Sequence, residues 1–215
     1  MSLTFCSSLE SFIFKMNAPI VYRPALKEDC RRLAELMEIA AGGMLDFLFH
    51  DLVPGLTPVD IETRALENHN SHYSFRNAIV AEHLGSVAGM ALSFPAVEFR
   101  ITGDMRQFIP RERLDHLNIF FSARVESSFF LDALAVDEEL RGNGIGSQLI
   151  GLAKQKAENN GHESISLMVF RDNHDARRLY ARQGFEAVRD VAVERHPRIP
   201  HDGGCLLLNC PLRGS

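Results

Sequence analysis

A glycine-rich loop, Arg141-Gly-Asn-Gly-Ile-Gly146, follows an apolar run that ends in Leu134-Ala-Val136, and a helix-favouring sequence comes after it. Glycines let the backbone approach a ligand closely, and consecutive N–H groups at a helix N-terminus attract an anion. The loop therefore predicts a phosphate site. Taken alone, the same glycines are equally typical of a turn that only makes a sharp strand-to-helix connection.

Two other phosphate-binding motifs fit this loop less well. The dinucleotide fingerprint G-x-G-x-x-G is met at Gly142 and Gly144, but Ser147 stands where its third glycine belongs. Residues 137–141 also separate the apolar run from the glycines, and Glu163 precedes a predicted strand, whereas the acid of that fingerprint ends one. A Walker loop is excluded because no Gly-Lys-Ser or Gly-Lys-Thr follows.

A second block supports a more specific interpretation of the loop. Residues 167–185, LMVFRDNHDARRLYARQGF, indicate a strand, a helix that begins at an asparagine, and a Gly-Phe pair. Together with the R-x-x-G-x-G pattern of residues 141–146, this block resembles the acyl-CoA-binding region of the GNAT superfamily of N-acetyltransferases, whose signature is Q/R-x-x-G-x-G/A. The resemblance covers residues 129–188, and the order of the preceding elements also fits that family.

The resemblance implies acetyl-CoA as the donor and assigns residues to it. Backbone amides of the loop, with Ser147 nearby, would bind the pyrophosphate, and the backbone of the strand before the loop would pair with the pantetheine arm like an extra strand. Asn173 would contact the pantetheine, and a role as helix cap is compatible with that contact. The implied donor-binding residues are Leu134, Ala135, Val136, Arg141, Gly142, Asn143, Gly144, Ile145, Gly146, Ser147 and Asn173.

Tyr180 is the candidate acid, because it occupies the Leu-Tyr position of the family. Acyl transfer to an amine requires a neutral nitrogen, a stabilised oxyanion and a proton for the leaving thiolate. A phenol with an ordinary pKa of about 10 can protonate a thiolate whose conjugate acid has a pKa of about 8.5. The oxyanion would meet a backbone N–H at the end of the Leu134 to Val136 strand. The alternative for Tyr180 is a core tyrosine with a satisfied hydroxyl.

Asp132 is the first candidate for the base that takes the amine proton. It lies in the apolar strand, alternation places it on the same face as Leu134 and Val136, and a carboxylate is costly to bury without a partner or a task. Anchoring a loop is its alternative role. Glu126, Glu82 and a water chain to bulk solvent remain further candidates for the base.

The predicted function is therefore transfer of an acetyl group from acetyl-CoA to a primary amine of a small molecule or peptide, by direct attack in a ternary complex. A non-catalytic acyl-CoA-binding regulatory module is the alternative. The acceptor is expected to bind near the connection 44–56 and the long stretch 96–127. Apolar residues proposed for its wall are Phe47, Phe49, Leu52 and Phe75, and carboxylates proposed to attract an ammonium group are Asp46, Asp51 and Glu98. Ordinary packing between helices is the alternative for the aromatic residues.

The alternation of elements predicts an α/β (α+β) fold with a mixed, mostly antiparallel sheet of about seven strands flanked by helices. Predicted strands cover 18–23, 76–82, 87–94, 129–136, 164–170, 185–195 and 204–209. Predicted helices cover 26–41, a segment that begins with Thr57 as its cap, 111–120, 145–160 and 173–183. We expect one domain over 18–215 with an insertion at 96–127, after a leader over 1–17 that contains an alternative start, Met16.

Composition excludes several classes of protein. With 23 basic and 28 acidic residues the net charge is −5, and no basic run marks a nucleic-acid binder. The cysteines lack the spacing of a metal site, and no apolar run reaches the roughly 18 residues that span a bilayer. We therefore predict a cytoplasmic protein with no metal, nucleic-acid or membrane partner, and a homodimer is compatible with the sequence. The cysteines are Cys6, Cys30, Cys205 and Cys210.

Overall fold

The computed structural model describes residues 18–212, so the predicted leader lies outside the described residues, and its separation from a single domain stays a prediction. Within these residues, seven strands form one sheet in the order β1-β2-β3-β4-β5-β7-β6. Neighbouring strands are antiparallel except β4 and β5, which confirms the predicted mixed sheet. The strands are β1 (Ile20–Pro24), β2 (Ala78–His83), β3 (Ser86–Pro95), β4 (Phe129–Val136), β5 (Ser164–Phe170), β6 (Glu186–Val191) and β7 (Cys205–Pro211).

The helices flank this sheet, and none within residues 18–212 combines the length and apolar character needed to cross a membrane. The stretch 96–127 holds three short helices where the sequence predicted one, and the connection 44–56 holds one that was not predicted. A helix of six residues makes fewer than two turns, so its sequence cannot show a repeat. The helices are α1 (Cys30–Ala41), α2 (Met44–Phe49), α3 (Pro58–Glu67), α4 (Gly103–Phe108), α5 (Arg111–His116), α6 (Asn118–Ser122), α7 (Ile145–Asn159) and α8 (His174–Arg182).

Each face of the sheet has its own apolar core. One core joins α1, α2, α3 and the stretch 96–127 to the sheet, and Phe99 of that stretch stacks on Phe130 of β4 with ring centroids 4.2 Å apart. The other core lies under α7 and α8, where Leu149, Ile150 and Ala153 of α7 are fully buried. The sheet therefore separates the helices before β2 from the helices after β4.

Helix α3 begins where the sequence predicted, with a capping box. The Thr57 hydroxyl accepts a hydrogen bond from the amide of Asp60 at 3.2 Å, and the Asp60 carboxylate accepts one from the amide of Thr57 at 2.8 Å. Both interactions satisfy first-turn amides that have no intrahelical partner. The cap fixes the start of the helix, and the buried face that follows consists of Val59, Glu62 and Leu66.

A β-bulge interrupts β4 at Asp132. Leu92 of β3 pairs with Ala133 and the next residue, Ser93, pairs with Leu131, so Asp132 has no partner on β3. An extra residue in one strand reverses the alternation of side chains beyond it. Leu131 and Leu134 accordingly pack in the core under α7, whereas Ala133 packs in the core under α1.

Strands β4 and β5 touch at one end only. They pair at Phe129 with Ile165 and at Phe130 with Ser166, and β5 continues beside β7 over its whole length. At the paired end the buried hydroxyls of Ser128 and Ser166 are 2.6 Å apart and form a hydrogen bond. Beyond this point the two strands diverge, and residues 131–136 of β4 have no strand partner on that side within the described residues.

The predicted last strands differ from the observed ones mainly in the end of the first, since the second is only shifted, from 204–209 to Cys205–Pro211. The strand predicted over 185–195 ends at Val191, and residues 192–204 leave the sheet before β7 begins. Only an isolated bridge between His196 and Ile199 occurs in this connecting segment. Val193, in the part predicted as strand, packs against the α1 core from outside the sheet.

Candidate active site

A cleft of about 1300 Å³ opens where β4 and β5 diverge. It extends from the glycine-rich loop, past β4 and α8, to the helices of the stretch 96–127. The predicted donor-binding residues line it, with the exception of Asn143. Asn143 instead donates through Nδ2 to the carbonyl of Leu140 at 3.1 Å and so stabilises the loop itself.

The loop has the backbone conformation that its glycines allow. Gly142 and Gly144 have φ values of 81° and 80°, in the left-handed region that disfavours other residues. A Cβ added at either would meet no heavy atom within 4 Å, so conformation and not packing requires glycine there. Among residues 18–212 no side chain caps α7 after Gly144, which leaves the first amides of the helix unsatisfied. These amides are suited to an anion.

The exposed edge of β4 continues from the loop along the cleft. Leu134, Ala135 and Val136 pair with β3 on one side and have no strand on the other within the described part of the chain. Their outward N–H and C=O groups, other than the carbonyl of Val136, are available for the strand-like pairing that the family resemblance assigns to a pantetheine arm. Arg141 closes this end of the strand by donating from Nε to the carbonyl of Val136 at 3.0 Å.

Asn173 and Tyr180 reach the cleft from α8. Asn173 caps the helix, because its Oδ1 accepts a hydrogen bond from the amide of Ala176 at 3.1 Å. Tyr180 is buried, and its ring packs edge-on against Phe185. Within residues 18–212 its hydroxyl has no hydrogen-bond partner, unlike a core tyrosine with a satisfied hydroxyl. Burial raises the pKa of Tyr180 above its ordinary value, so the phenol is protonated at neutral pH.

The bulge gives Asp132 a different position from the predicted one. Regular alternation predicted that Asp132 lies on the face of Leu134 and Val136, and this prediction is wrong because the extra residue reverses the alternation. Asp132 lies instead near Glu62 and Tyr73 on the opposite face, and its charge acts on the titration of both. It is half-buried because part of its surface lines the cleft, and burial raises the pKa of its carboxyl to about 7.

Glu62 is a site residue that the sequence analysis missed. Its side chain lies on α3 with 4% of its surface exposed, lines the same cleft, and has no hydrogen bond or ion pair within the described residues. Burial, and then the charge of Asp132, raise the pKa of Glu62 to about 7. The available signal was its position between Val59 and Leu66 on the apolar face of a helix, where an uncompensated carboxylate is costly.

Two aromatic residues complete this acidic part of the cleft. Burial, followed by the charges of Asp132 and Glu62, raises the pKa of Tyr73 well above its ordinary value. The ring of His72 packs against Tyr73 and Phe94, with centroids 4.2 and 4.9 Å away. Burial lowers the pKa of His72, which favours the neutral imidazole, and its buried Nε2 has no hydrogen-bond partner within residues 18–212.

The other candidate bases lie outside the cleft. Glu82 forms an ion pair with Arg23 at 2.7 Å, and Glu126 forms one with Arg124 at 3.2 Å. Neither carboxylate lines the cleft. Of the carboxylates considered for the base, Asp132 alone reaches it, and the structure adds Glu62.

Ordinary packing, the alternative given for the aromatic residues, holds for Phe47 and Phe75, which are buried in the core of α1. The predicted acceptor wall is therefore largely wrong. Of its four apolar residues only Phe49 lines the cleft, while Phe47 lines a separate cavity of about 310 Å³. Asp46 and Asp51 are paired with Arg198 and His50, and Glu98 is paired with Arg100; none of them lines the cleft. The sequence of a helix of about six residues shows no repeat, so it does not indicate which aromatic side chains face inward. The apolar residues that do line this end include Met37, Met44, Leu45, Leu48, Phe99, Met105, Phe120 and Phe121.

The chain belongs to the acetyltransferase (GNAT) family, whose model matches residues 45–185. It is similar over 90% of its length to the whole of a chain in a crystal structure described as an acetyltransferase, with 26% identity and a TM-score of 0.65. An N-acetyltransferase from Staphylococcus aureus Mu50 has the same fold, with 17% identity and a TM-score of 0.64 over 88% of this chain and 98% of that one. These comparisons confirm the family and the fold inferred from the sequence.

A shorter match links the chain to a protein of Bacillus subtilis (strain 168), the uncharacterized N-acetyltransferase YobR. The two are 39% identical over 69 residues, which is 32% of this chain and 26% of YobR. The chain thus matches about a quarter of that relative. The likeness supports the family and is too short to transfer an activity.

The raised pKa of Glu62 predicts how stability depends on pH. Its value in the folded protein, about 7, exceeds the ordinary value of 4.5, so the folded state binds more protons than the unfolded state between these limits. This contribution to the free energy of unfolding is complete below about pH 4.5 and is lost as pH rises through about 7. Glu62→Gln should flatten the decline in stability between pH 5 and pH 8, as measured by urea unfolding.

Glu158→Gln is the matched control, since Glu158 lies exposed on α7. It should keep the pH dependence of the wild-type protein. An equal pH dependence in wild type and Glu62→Gln would contradict the buried, ionisable state of Glu62.

Proposed function

We propose that this protein is an N-acetyltransferase that transfers the acetyl group of acetyl-CoA to a primary amine within a ternary complex. The observation that carries the proposal is one cleft that holds an anion-binding loop, a tyrosine hydroxyl without a hydrogen-bond partner in residues 18–212, one buried carboxyl and one half-buried carboxyl. These groups supply, in order, a donor site, an acid and a base. Membership of the acetyltransferase (GNAT) family supports the same reaction.

The residues of the donor half fit acetyl-CoA, which supplies a thioester when bound. The space beside Gly142 and Gly144 is free of protein atoms, and no side chain caps the start of α7 within the described residues. Both features fit a pyrophosphate. The unpaired edge of β4 fits an extended arm with amide groups. Asn173 keeps its side-chain Nδ2 free for such an arm, because the helix cap uses only its Oδ1.

The acceptor must lose protons before and after it attacks the thioester carbonyl. Above about pH 7 the carboxyls of Glu62 and Asp132 are able to accept a proton from an ammonium group. Over one turnover a C–N bond forms, the C–S bond breaks, and the ammonium group loses two protons. One reaches solvent through the carboxyls, and the other replaces the proton that Tyr180 gives to the thiolate. The products are an amide, the free thiol and one proton.

Removal of the Tyr180 hydroxyl tests the acid. Tyr180→Phe should lower kcat by about 100-fold, a typical contribution of general acid catalysis, and leave acetyl-CoA affinity within about twofold. The measurement is free-thiol release from acetyl-CoA with a panel of primary amines. Tyr22→Phe is the control, since Tyr22 lies on β1 and does not line the cleft.

The same assay tests the function as a whole. Turnover of Tyr180→Phe equal to that of the wild type would contradict the acid role. A regulatory module would bind CoA and release no thiol with any amine, and that result would overturn the proposed reaction.

A change at Gly144 tests the donor site. Gly144→Ala puts a methyl group where an anion would meet the amides of α7, so CoA affinity by calorimetry should fall by about tenfold or more. Gly161→Ala is a control matched for strain, because Gly161 has a φ of 77°, has no heavy atom within 4 Å of an added Cβ and follows the far end of α7. Equal CoA affinity of the two variants would show that the phosphates of CoA bind outside this loop.

A further inference from the structure

We infer that the acceptor is a small primary amine with a compact apolar body, which enters the cleft beside residues 68–73 and not across the connecting segment 192–204. The inference rests on the proposed function and narrows its acceptor from amines in general. Three features of the described residues carry it: a closed seam, a polar mouth and an apolar chamber that ends in carboxyls.

The closed seam lies between the segment 192–204 and the turn that joins α1 to α2. A Cβ added to Gly43 would lie 2.1 Å from the carbonyl oxygen of Arg198, and one added to Gly42 would lie 2.5 Å from Nε2 of His201. At Gly43 the two backbones are therefore too close for a side chain between them, and at Gly42 the rings of His201 and Phe170 occupy the space. An extended peptide cannot lie across this seam without separating them.

Side-chain contacts stabilise the same seam. The ring of His201 stacks on Phe170 of β5, with centroids 3.8 Å apart and planes 13° from parallel. Arg198 donates to the carboxylate of Asp46 on α2 at 2.8 Å. The segment is thus attached both to β5 of the sheet, through His201, and to α2, through Arg198, so an acceptor cannot enter between them.

The polar mouth lies between the end of α3 and the start of α4. Cleft-lining residues with polar side chains occur here on both sides, and three of them, Asn68, Asn70 and Asp104, are exposed to solvent. The carboxylate of Asp104 favours the approach of a cation. The other two polar residues at this mouth are Ser71 and Thr102.

The chamber behind the mouth selects an apolar body. Met105, Phe120 and Phe121 from the stretch 96–127 line the cleft together with Met37, Met44 and Leu48 from the first helices. These side chains offer no hydrogen bonds, so the amide groups of a peptide acceptor would be left unpaired against them. Methionine and aromatic side chains instead adapt to apolar groups of varied shape.

The carboxyls at the end of the chamber select the amine. Glu62 is 4% exposed, has no partner within residues 18–212, and borders the cleft together with Asp132. A buried carboxylate requires a counter-charge, and an ammonium group supplies one together with hydrogen bonds. An amine that joins an ammonium group to an apolar group is therefore complementary both to the carboxyls and to the apolar wall of the chamber.

Amine binding to the protein saturated with CoA tests this inference apart from catalysis. CoA carries no acetyl group, so the bound amine cannot react. Calorimetry should give a Kd for 2-phenylethylamine at least about tenfold lower than the Kd for ethanolamine or for trialanine amide. Equal or tighter binding of the polar amine or the peptide would overturn the inference, and so would failure of 2-phenylethylamine to bind. Thiol release with acetyl-CoA separately tests the proposed reaction: an apolar amine that binds and releases no thiol contradicts the reaction and not the selectivity.

Phe120→Ala tests the chamber wall. It should raise the Kd for 2-phenylethylamine by about fivefold through lost apolar contact and leave the Kd for CoA unchanged. Phe108→Ala is the control, since Phe108 belongs to the same stretch, is 70% exposed and does not line the cleft. Equal effects of the two variants on amine binding would overturn the inference.

Discussion

The divergence of β4 from β5 is the constraint on which the rest of the site depends. Parallel neighbours in a sheet ordinarily pair along their length, yet these two strands pair at only two positions. The hydroxyls of Ser128 and Ser166 hold the paired end, and β7 keeps β5 in the sheet, so the strands separate without loss of the fold. The separation leaves polar backbone groups of β4 in need of a partner. It also brings the start of α7 to the edge of a cleft.

Because of the bulge in β4, apolar side chains face one side of the sheet while a carboxyl faces the other. One extra residue at Asp132 keeps Leu131 and Leu134 in the core under α7 while the carboxyl itself turns toward α3. There it meets Glu62, which reaches the same place from a capped helix. Two acidic groups without a protein counter-charge are expensive to bury, and such groups persist at sites that bind a cation or transfer a proton. Tyr180, the proposed acid, lies with the other core.

The second half of the chain could be predicted closely because its signals are local. Strands β4 and β5 were predicted with their observed bounds, and the loop at Gly142 and Gly144 has the left-handed backbone that its glycines indicated. The acceptor half could not be predicted in this way. Glu62 becomes a site residue only through the packing of α3 over the sheet, and Asp132 changes face because of a pairing irregularity with β3. Neither the register of a distant strand nor the orientation of a short helix is encoded in neighbouring residues.

The position of β7 between β5 and β6 has a consequence for synthesis on the ribosome. Until Cys205–Pro211 have been translated and have left the exit tunnel, β5 has only its short contact with β4 to hold it beside the nascent sheet. Helices α7 and α8 are made earlier, with their apolar faces uncovered on that side. The nascent protein therefore passes through a stage in which most of its chain exists but β5 and β6 have no β7 between them, and this is the stage at which chaperones and proteases would encounter it.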